Sequence, residues 1–385
     1  MSIIKIGATC LALCTCGVAS ADDSDMMGDN NVTPEMMQQR MNRMVDQGMI
    51  TPDMMQQRMD RMEMGEAVRS DASTRISLSP STEGFSLDLG GFIQTGYSYN
   101  GGADLDAEYG FSVDRARLIL SGDFGKDASY LLSGQWSDVT STFDLLDARV
   151  DFRAFGVTNV RVGQFVPAFY SGFVTDPRSL ITNNYSVSAL TYGQGRGQGV
   201  ELSDFIVSDV VELSAFYTNG FGDTNGVDAD NDYAVGARAS VGLGGGFSIG
   251  AGYAYNNNNV TDYSSYTVDL EYTSGKLDFN AAWIANNETE DWDNYSIVGT
   301  LAYQCLDNLQ GFVQYEYGAL GGVSDKLNIA TIGCNYTIHE NIVWTNTVGY
   351  AFEGIDSGFN TDNTGWRSSA DDGQYVVRSV IQVSF

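Results

Sequence analysis

The chain ends QYVVRSVIQVSF at residues 374–385, and apolar and partly polar side chains alternate along this stretch. Ser379 is the one break in the apolar face, and Val376 and Val380 stand on the other face. A period of two residues indicates a strand with one apolar surface. The apolar face holds Tyr375, Val377, Ile381, Val383 and Phe385, and the other face holds Arg378, Gln382 and Ser384.

The position of Phe385, at the end of an amphipathic strand with nothing after it, carries a second signal. A chain that stops in this way resembles the bacterial outer-membrane β-barrels, whose assembly machinery recognises such a terminal strand. The resemblance implies that the barrel assembly machinery is a partner through Phe385. It also implies that the rest of the chain closes into a barrel.

Composition agrees with a chain of many strands and tight turns, because 385 residues include 44 Gly, 21 Tyr and 19 Phe but only 5 Pro. The formal net charge is −29 and the chain has four lysines. Phosphate backbones are bound by clustered positive charge, so a nucleic-acid partner is not expected. No segment after the amino end has about 18 uninterrupted apolar residues, the length that a membrane-spanning helix needs.

The first 21 residues have the pattern of a secretory signal peptide. Lys5 precedes an apolar stretch, and Ala19–Ala21 offers a small-residue cleavage site. Cys14 and Cys16 raise lipidation as an alternative, but the residues before them are not the small ones that lipidation usually requires. We expect the mature protein to begin near residue 22.

A methionine-rich repeat follows the signal peptide, with TPEMMQQRMNRM at residues 33–44 and TPDMMQQRMDRM at residues 51–62. Thr33 and Thr51 suit helix N-caps, and the methionines recur at helical spacing. Residues 22–64 are therefore predicted to form a short helical periplasmic segment, and residues 65–83 a linker. Thioethers can bind Cu(I), but such methionines more often pack against a partner surface, so no metal or cofactor is predicted.

Residues 84–385 divide into sixteen predicted antiparallel strands of about ten residues, the length of a tilted membrane-spanning strand. Connections after even-numbered strands are short, and those after odd-numbered strands are mostly long and polar. Outer-membrane barrels show this alternation of periplasmic turns and external loops. The predicted strands are 85–99, 109–124, 128–138, 144–154, 158–166, 197–206, 209–219, 232–243, 246–256, 263–273, 276–286, 293–304, 308–318, 326–336, 341–352 and 374–385.

Parity within the strands predicts which side chains face a water-filled lumen. In the fourth strand, Leu146, Ala148, Val150 and Phe152 would face lipid and the charged residues between them the lumen. The opposite register would cost roughly 2 to 4 kcal/mol for each midplane Arg in hydrocarbon. The side chains predicted in this way to line the pore are Arg115, Arg117, Asp147, Arg149, Asp151, Arg153, Arg238, Asp269, Glu271 and Arg378.

The connection at residues 167–196 is too long for an ordinary loop, and a loop of that length usually has a function. Our hypothesis is that it folds into the lumen and constricts the pore. The alternative is an external flap over the mouth of the barrel. The residues predicted to form the constriction are Phe169, Tyr170, Phe173, Asp176, Arg178 and Tyr185.

Four motifs resemble, in order and approximate spacing, those of the phosphate-selective porins O and P, and a fifth looks like that family's short Asn-Gly motif. They are DRARLILSG at 114–122, LLDARVDF at 145–152, VRVGQFVPAF at 160–169, GRGQGVEL at 195–202 and FYTNGF at 216–221. The resemblance implies a trimeric sixteen-stranded porin in a bacterial outer membrane, in contact with lipid and lipopolysaccharide, often with a helical periplasmic extension.

The basic residues that match the family's motifs are Arg115, Arg117, Arg161 and Arg196. By resemblance, Arg161 and Arg196 join the pore lining, and the four could form a ladder for phosphate or other anions. The predicted inward acids favour instead a general or weakly cation-selective pore, in which the arginines pair with carboxylates and stiffen the wall. Both interpretations remain open at this stage.

The favoured function is passive diffusion of small hydrophilic solutes or ions through the barrel. An alternative is a plugged outer-membrane barrel that acts in adhesion or surface structure. An enzyme is not expected, because the single histidine, His339, has no visibly positioned serine to activate.

Overall fold

The computed structural model describes residues 84–102, 106–125, 127–137, 142–154, 158–208, 210–222, 232–257, 262–287, 294–323 and 326–385. The predicted signal peptide (1–21), helical segment (22–64) and linker (65–83) lie outside these residues and stay predictions. No helix among the described residues is long and apolar enough to cross a membrane.

In the described part of the chain, sixteen strands form one closed antiparallel barrel, in which each strand pairs with the next and β16 closes on β1. The predicted antiparallel barrel of sixteen strands is confirmed over the described residues. The strands are β1 (Asp88–Gly101), β2 (Glu108–Phe124), β3 (Ala128–Ser137), β4 (Thr142–Ala154), β5 (Thr158–Phe165), β6 (Gly197–Ser208), β7 (Val211–Thr218), β8 (Tyr233–Gly244), β9 (Phe247–Asn257), β10 (Tyr263–Ser274), β11 (Leu277–Asn286), β12 (Asn294–Leu306), β13 (Leu309–Ala319), β14 (Leu327–His339), β15 (Ile342–Ala351) and β16 (Tyr375–Ser384).

The two faces of the strands differ as parity predicts. In β10, Val268 is 44% exposed on the outer surface, whereas Asp269 beside it is 4% exposed. In β16, Val377 and Ile381 lie on the outer surface while Gln382 is buried inside. Closure of the barrel leaves no free sheet edge. An apolar outer band and a polar interior suit a barrel surrounded by lipid.

Bulges in β2 and β4 interrupt the strict alternation. In β2, Thr95 pairs with Val113 and Gln94 with Arg115, so that Asp114 has no partner across the ladder. An extra residue in one strand lets two successive side chains share a face. Asp114 and Arg115 are accordingly both buried.

The connection between β5 and β6 folds into the barrel, and we refer to residues 167–196 as the lumen loop. It contains helix α1 (Ser171–Val174), a 3-10 turn (Pro177–Ser179) and helix α2 (Val187–Tyr192). The Ser186 hydroxyl accepts a hydrogen bond from the backbone N–H of Ala189 at 3.0 Å and so caps α2.

The connection between β15 and β16, residues 352–374, is called here the last loop. Sequence analysis grouped it with the polar external loops, but it too folds back into the barrel. An isolated bridge joins Ile355 to Ser369 at its base. Ile355, Phe359 and Trp366 are 0%, 2% and 8% exposed and share one apolar cluster with residues of the lumen loop.

Candidate functional site

A row of opposite charges crosses the inner wall of β4, β5 and β6. The strand register sets Asp151 opposite Arg161 and Arg161 opposite Glu201. The Arg161 guanidinium lies 2.7 Å from Asp151 Oδ1 and 2.8 Å from Glu201 Oε1, and Arg149 Nε lies 3.3 Å from Asp151 Oδ2. Three charges predicted to line the pore, Arg149, Asp151 and the family-matched Arg161, therefore meet Glu201 in one ion-pair network.

The same network anchors the start of the lumen loop. Glu201 is 1% exposed, and its second carboxylate oxygen accepts a hydrogen bond from the backbone N–H of Ala168 at 2.6 Å. At the other end of the loop, Arg196 lies 3.2 Å from Asp147, whose carboxylate also accepts a hydrogen bond from Ser133 at 2.6 Å. Both ends of the loop are thus bound to charged groups of the wall.

A second ion pair joins β8 and β10 across β9. The Arg238 guanidinium makes two 2.6 Å contacts with the two carboxylate oxygens of Asp269, a bidentate geometry. Arg238 also donates to the Phe169 carbonyl at 3.2 Å. Gly250 stands between the partners, and a Cβ there would lie 2.1 Å from Arg238 Nη2, so a side chain at this position would displace the guanidinium from its present place.

Two predicted pore-lining arginines of β2 are enclosed by neutral groups. Arg115 is 4% exposed and donates to Gln94 at 2.9 Å and to Asn184 at 2.7 Å. Arg117 is 7% exposed and donates to Gln135 at 2.8 Å. Both guanidinium groups are therefore buried, with hydrogen bonds from Arg115 to the lumen loop and from Arg117 to the neighbouring strand.

The remaining predicted lining residues lie in three different settings. Arg378 pairs with Asp114 at 2.5 Å beneath the last loop. Arg153 is exposed beside the turn from β4 to β5. Glu271 is exposed and borders a cavity of about 520 Å³ inside the barrel.

That cavity lies along the inner wall next to the short turns of β10–β16 and is bounded by the lumen loop. Its charged side chains include Arg178, Glu271 and Asp278, and many of its other wall groups are amides and hydroxyls. The amide-bearing side chains that line it are Asn183, Asn184, Asn280, Gln304, Gln310, Gln314, Asn335 and Gln382. The cavity wall can therefore form hydrogen bonds with small polar solutes.

The six residues predicted to form the constriction all belong to the lumen loop, and their side chains contact other protein groups. Phe169 and Tyr170 are 0% and 5% exposed. The rings of Phe173 and Tyr185 have centroids 5.2 Å apart, and Arg178 lies 3.1 Å from Asp176. Tyr170, Arg178 and Tyr185 also line the cavity, so the loop is internally packed and borders the lumen at the same time.

Helix α2 attaches the lumen loop to the opposite wall. Glu316, 2% exposed in β13, accepts hydrogen bonds from the backbone and hydroxyl groups of Ser188 at 2.9 and 2.8 Å. The Tyr192 hydroxyl donates to the Ala319 carbonyl at 2.7 Å. Burial raises the pKa of Tyr192, so the phenol stays protonated and keeps this bond.

Inward-facing glycines permit both loops to approach the wall closely. A Cβ on Gly252 in β9 would lie 2.5 Å from the Phe169 carbonyl oxygen. A Cβ on Gly349 in β15 would lie 2.6 Å from the Trp366 ring. The sequence analysis missed Trp366 and the rest of the last loop, although its Phe359 and Trp366 are unusual in a loop that is otherwise polar.

Comparison with known proteins agrees with this geometry. Residues 87–262 match the family model described as phosphate-selective porin O and P, slightly less than half of the chain. The resemblance seen in the sequence motifs is thereby confirmed over that range. A search of curated proteins finds no match.

Solved structures with the same fold include several outer-membrane proteins. An anion-selective porin from Comamonas acidovorans has a TM-score of 0.60 at 15% identity, over 78% of this chain and 100% of that one. OmpT of Vibrio cholerae has a TM-score of 0.58 at 13% identity, over 80% of this chain and 99% of that one. OmpF of Salmonella typhi, in complex with daunomycin, has a TM-score of 0.57 at 14% identity, over 80% of this chain and 100% of that one. These likenesses support the sixteen-stranded barrel.

Proposed function

From the match of residues 87–262 to the phosphate-selective porins O and P, we propose that this chain is a porin of a Gram-negative-type outer membrane. Small hydrophilic solutes and ions diffuse passively through its barrel, without turnover or energy input. The observation that carries the proposal is a closed sixteen-stranded barrel with an apolar outer band, charged inner walls and a polar lumen cavity.

The proposed setting follows from the same features. The outer band contacts lipid and lipopolysaccharide, and the barrel assembly machinery binds the terminal strand through Phe385. Phe385 exchanges backbone hydrogen bonds with Gly91 of β1 at 2.9 and 3.0 Å, so the last residue contributes to closure. A homotrimer is the proposed assembly, and a trimeric form is reported for Vibrio cholerae OmpT.

We further propose that the pore is general or weakly cation-selective, although the family is named for phosphate. Arg149, Arg161, Arg196, Arg238 and Arg378 each lie within 3.3 Å of a carboxylate. Arginines paired in this way present little net positive charge to an anion. The sign of the charge that lines a pore sets its ion selectivity, and these ion pairs leave the net charge of the lumen wall close to zero.

A plugged barrel that acts in adhesion or surface structure is the second candidate. It is favoured by the narrow space where the two loops meet, a cavity of only about 40 Å³ bordered by Asn184, Tyr185 and Trp366. Such a space holds about one water molecule. The porin proposal requires that solutes pass beside the loops or that the loops move apart.

Liposome swelling separates the two candidates. We expect liposomes that contain the refolded full-length protein to swell in neutral sugars, faster for a pentose than for a trisaccharide, because passage is limited by pore width. Protein-free liposomes are the control. If the protein is folded but no sugar causes swelling, the plugged barrel is the correct interpretation.

A further inference from the structure

We propose that the last loop, residues 352–374, is a second pore-defining element that clamps the lumen loop in place. The proposal rests on the proposed porin function for its effect on conduction, but the clamp itself is a structural claim. Three independent sets of contacts support it: a hydrogen-bond network, a shared apolar cluster and close contacts between the last loop and the barrel wall.

The hydrogen-bond network runs from β2 through both loops to β16, the two strands that flank β1 in the barrel. Arg115 of β2 donates to Asn184 Oδ1 at 2.7 Å, and Asn184 Nδ2 donates to the Asn363 carbonyl. Arg378 of β16 donates to the same carbonyl at 3.3 Å and pairs with Asp114 at 2.5 Å. Asp114 adjoins Arg115 in the bulge of β2, so the network closes on itself.

The chemistry of the partners fixes the orientation of the Asn184 side chain. Arginine can only donate and a backbone carbonyl can only accept, so the amide oxygen must face Arg115 and the amide nitrogen Asn363. Asn363 has a φ of +57°, a left-handed conformation that asparagine tolerates better than most residues. The two asparagines therefore suit a bridge between the loops.

Apolar burial reinforces the bridge. Ile355 and Phe359 of the last loop belong to the same buried cluster as Val187, Ala189 and Tyr192 of the lumen loop. At the edge of this cluster the Asn360 backbone N–H donates to the Thr191 hydroxyl at 2.9 Å. Side chains that are removed from water on both loops stabilise them only while the loops remain together.

The last loop itself packs against the barrel wall. Trp366 lies against Gly349, where any side chain would collide with its ring. At the mouth of the barrel, Arg367 lies 2.6 Å from Glu108 and donates to the Asp106 carbonyl at 2.8 Å. The wall therefore holds the last loop, and the last loop in turn holds the lumen loop.

Shortening the last loop tests the clamp. Residues 357–366 are replaced by two glycines in the full-length protein, which keeps the bridge between Ile355 and Ser369. We expect a roughly twofold rise in single-channel conductance with increased open-channel noise, because the lumen widens and the lumen loop loses its support. Trypsin should also cleave after Arg178, a lumen-loop residue that is largely buried in the intact protein.

A point variant covers the case in which the shortened protein does not fold. Asn184→Asp keeps the acceptor for Arg115 but replaces the donor to Asn363 with a second acceptor, so the bridge is lost. Gln314→Glu is the matched control, since it adds the same charge to the wall of the same cavities. We expect Asn184→Asp alone to increase open-channel noise and tryptic cleavage after Arg178.

The clamp is overturned if the shortened protein folds with wild-type conductance, noise and resistance to trypsin, or if Asn184→Asp behaves like Gln314→Glu in both measurements. A wild-type protein that is folded but never conducts would contradict the porin proposal instead. Tryptic cleavage after Arg178 does not depend on conduction, so it would still decide whether the last loop holds the lumen loop.

Discussion

Deletion of residues 172–186 is expected to raise single-channel conductance several-fold. This segment borders the lumen cavity through Arg178, Asn183 and Tyr185, and it fills space inside the barrel that water would otherwise occupy. The conductance of a water-filled pore increases with its open cross-section. The deletion leaves the contacts of Ala168 with Glu201 and of Arg196 with Asp147, so both ends of the shortened loop keep their attachments.

A control is needed because the deletion could alter the barrel as a whole. Val268→Ala, a change on the outer surface of β10, should leave conductance at the wild-type value. Folding of both variants is checked by the change in electrophoretic migration that heating causes in folded barrels. A folded deletion variant with unchanged conductance would show that the lumen loop does not constrict the pore.

Removal of the Asp269 carboxylate by Asp269→Ala is expected to lower the free energy of unfolding by about 3 kcal/mol. Asp269 and Arg238 have side chains only 4% and 14% exposed. The substitution would leave the Arg238 guanidinium buried without its bidentate partner. Urea unfolding of the refolded protein in detergent micelles, followed by tryptophan fluorescence, measures the change.

Two further variants test whether the loss comes from the unpaired charge. Glu271→Gln, on the same strand but exposed, should change stability by less than about 0.5 kcal/mol. The double variant Arg238→Met with Asp269→Leu should recover most of the loss, because replacing both partners by apolar groups is often nearly neutral. An Asp269→Ala protein as stable as the wild type would mean that lumen water already solvates Arg238.

Much of the barrel could be predicted because its strands obey one strong rule. Alternation with period two, short turns after even strands and the cost of charge in hydrocarbon fix the number of strands and the direction of their side chains. The inward direction of Arg238 and Asp269 follows from parity alone. Their pairing across Gly250 could be guessed only once the register of β8, β9 and β10 was known.

Other features could not be read from alternation. Asp114 and Leu146 fall on bulges, which shift the parity by one residue and depend on how neighbouring strands fit together. The burial of Arg115 and Arg117 depends on where the lumen loop lies, which is a tertiary property. Trp366 and Phe359 are buried because the last loop folds inward, and its many polar residues gave the opposite impression.

The function of the predicted pore lining stays a proposal, but its geometry favours one of the two selectivities that the sequence left open. An arginine ladder that binds phosphate requires guanidinium groups that are accessible to solute. In the described part of the chain, Arg115 and Arg117 are covered, and Arg161 and Arg196 are neutralised by carboxylates. Counting arginines in the sequence therefore overestimates the positive potential of the lumen.

The most direct test of a passive, nearly charge-balanced pore is the planar-bilayer conductance of the refolded full-length protein, with the reversal potential measured in a salt gradient. We predict conductance steps that appear in groups of three, a small reversal potential with a cation preference, and no block when phosphate is added to chloride. Strong anion preference with block by phosphate would contradict the balanced lumen. Folded protein that gives no steps at all would contradict the pore.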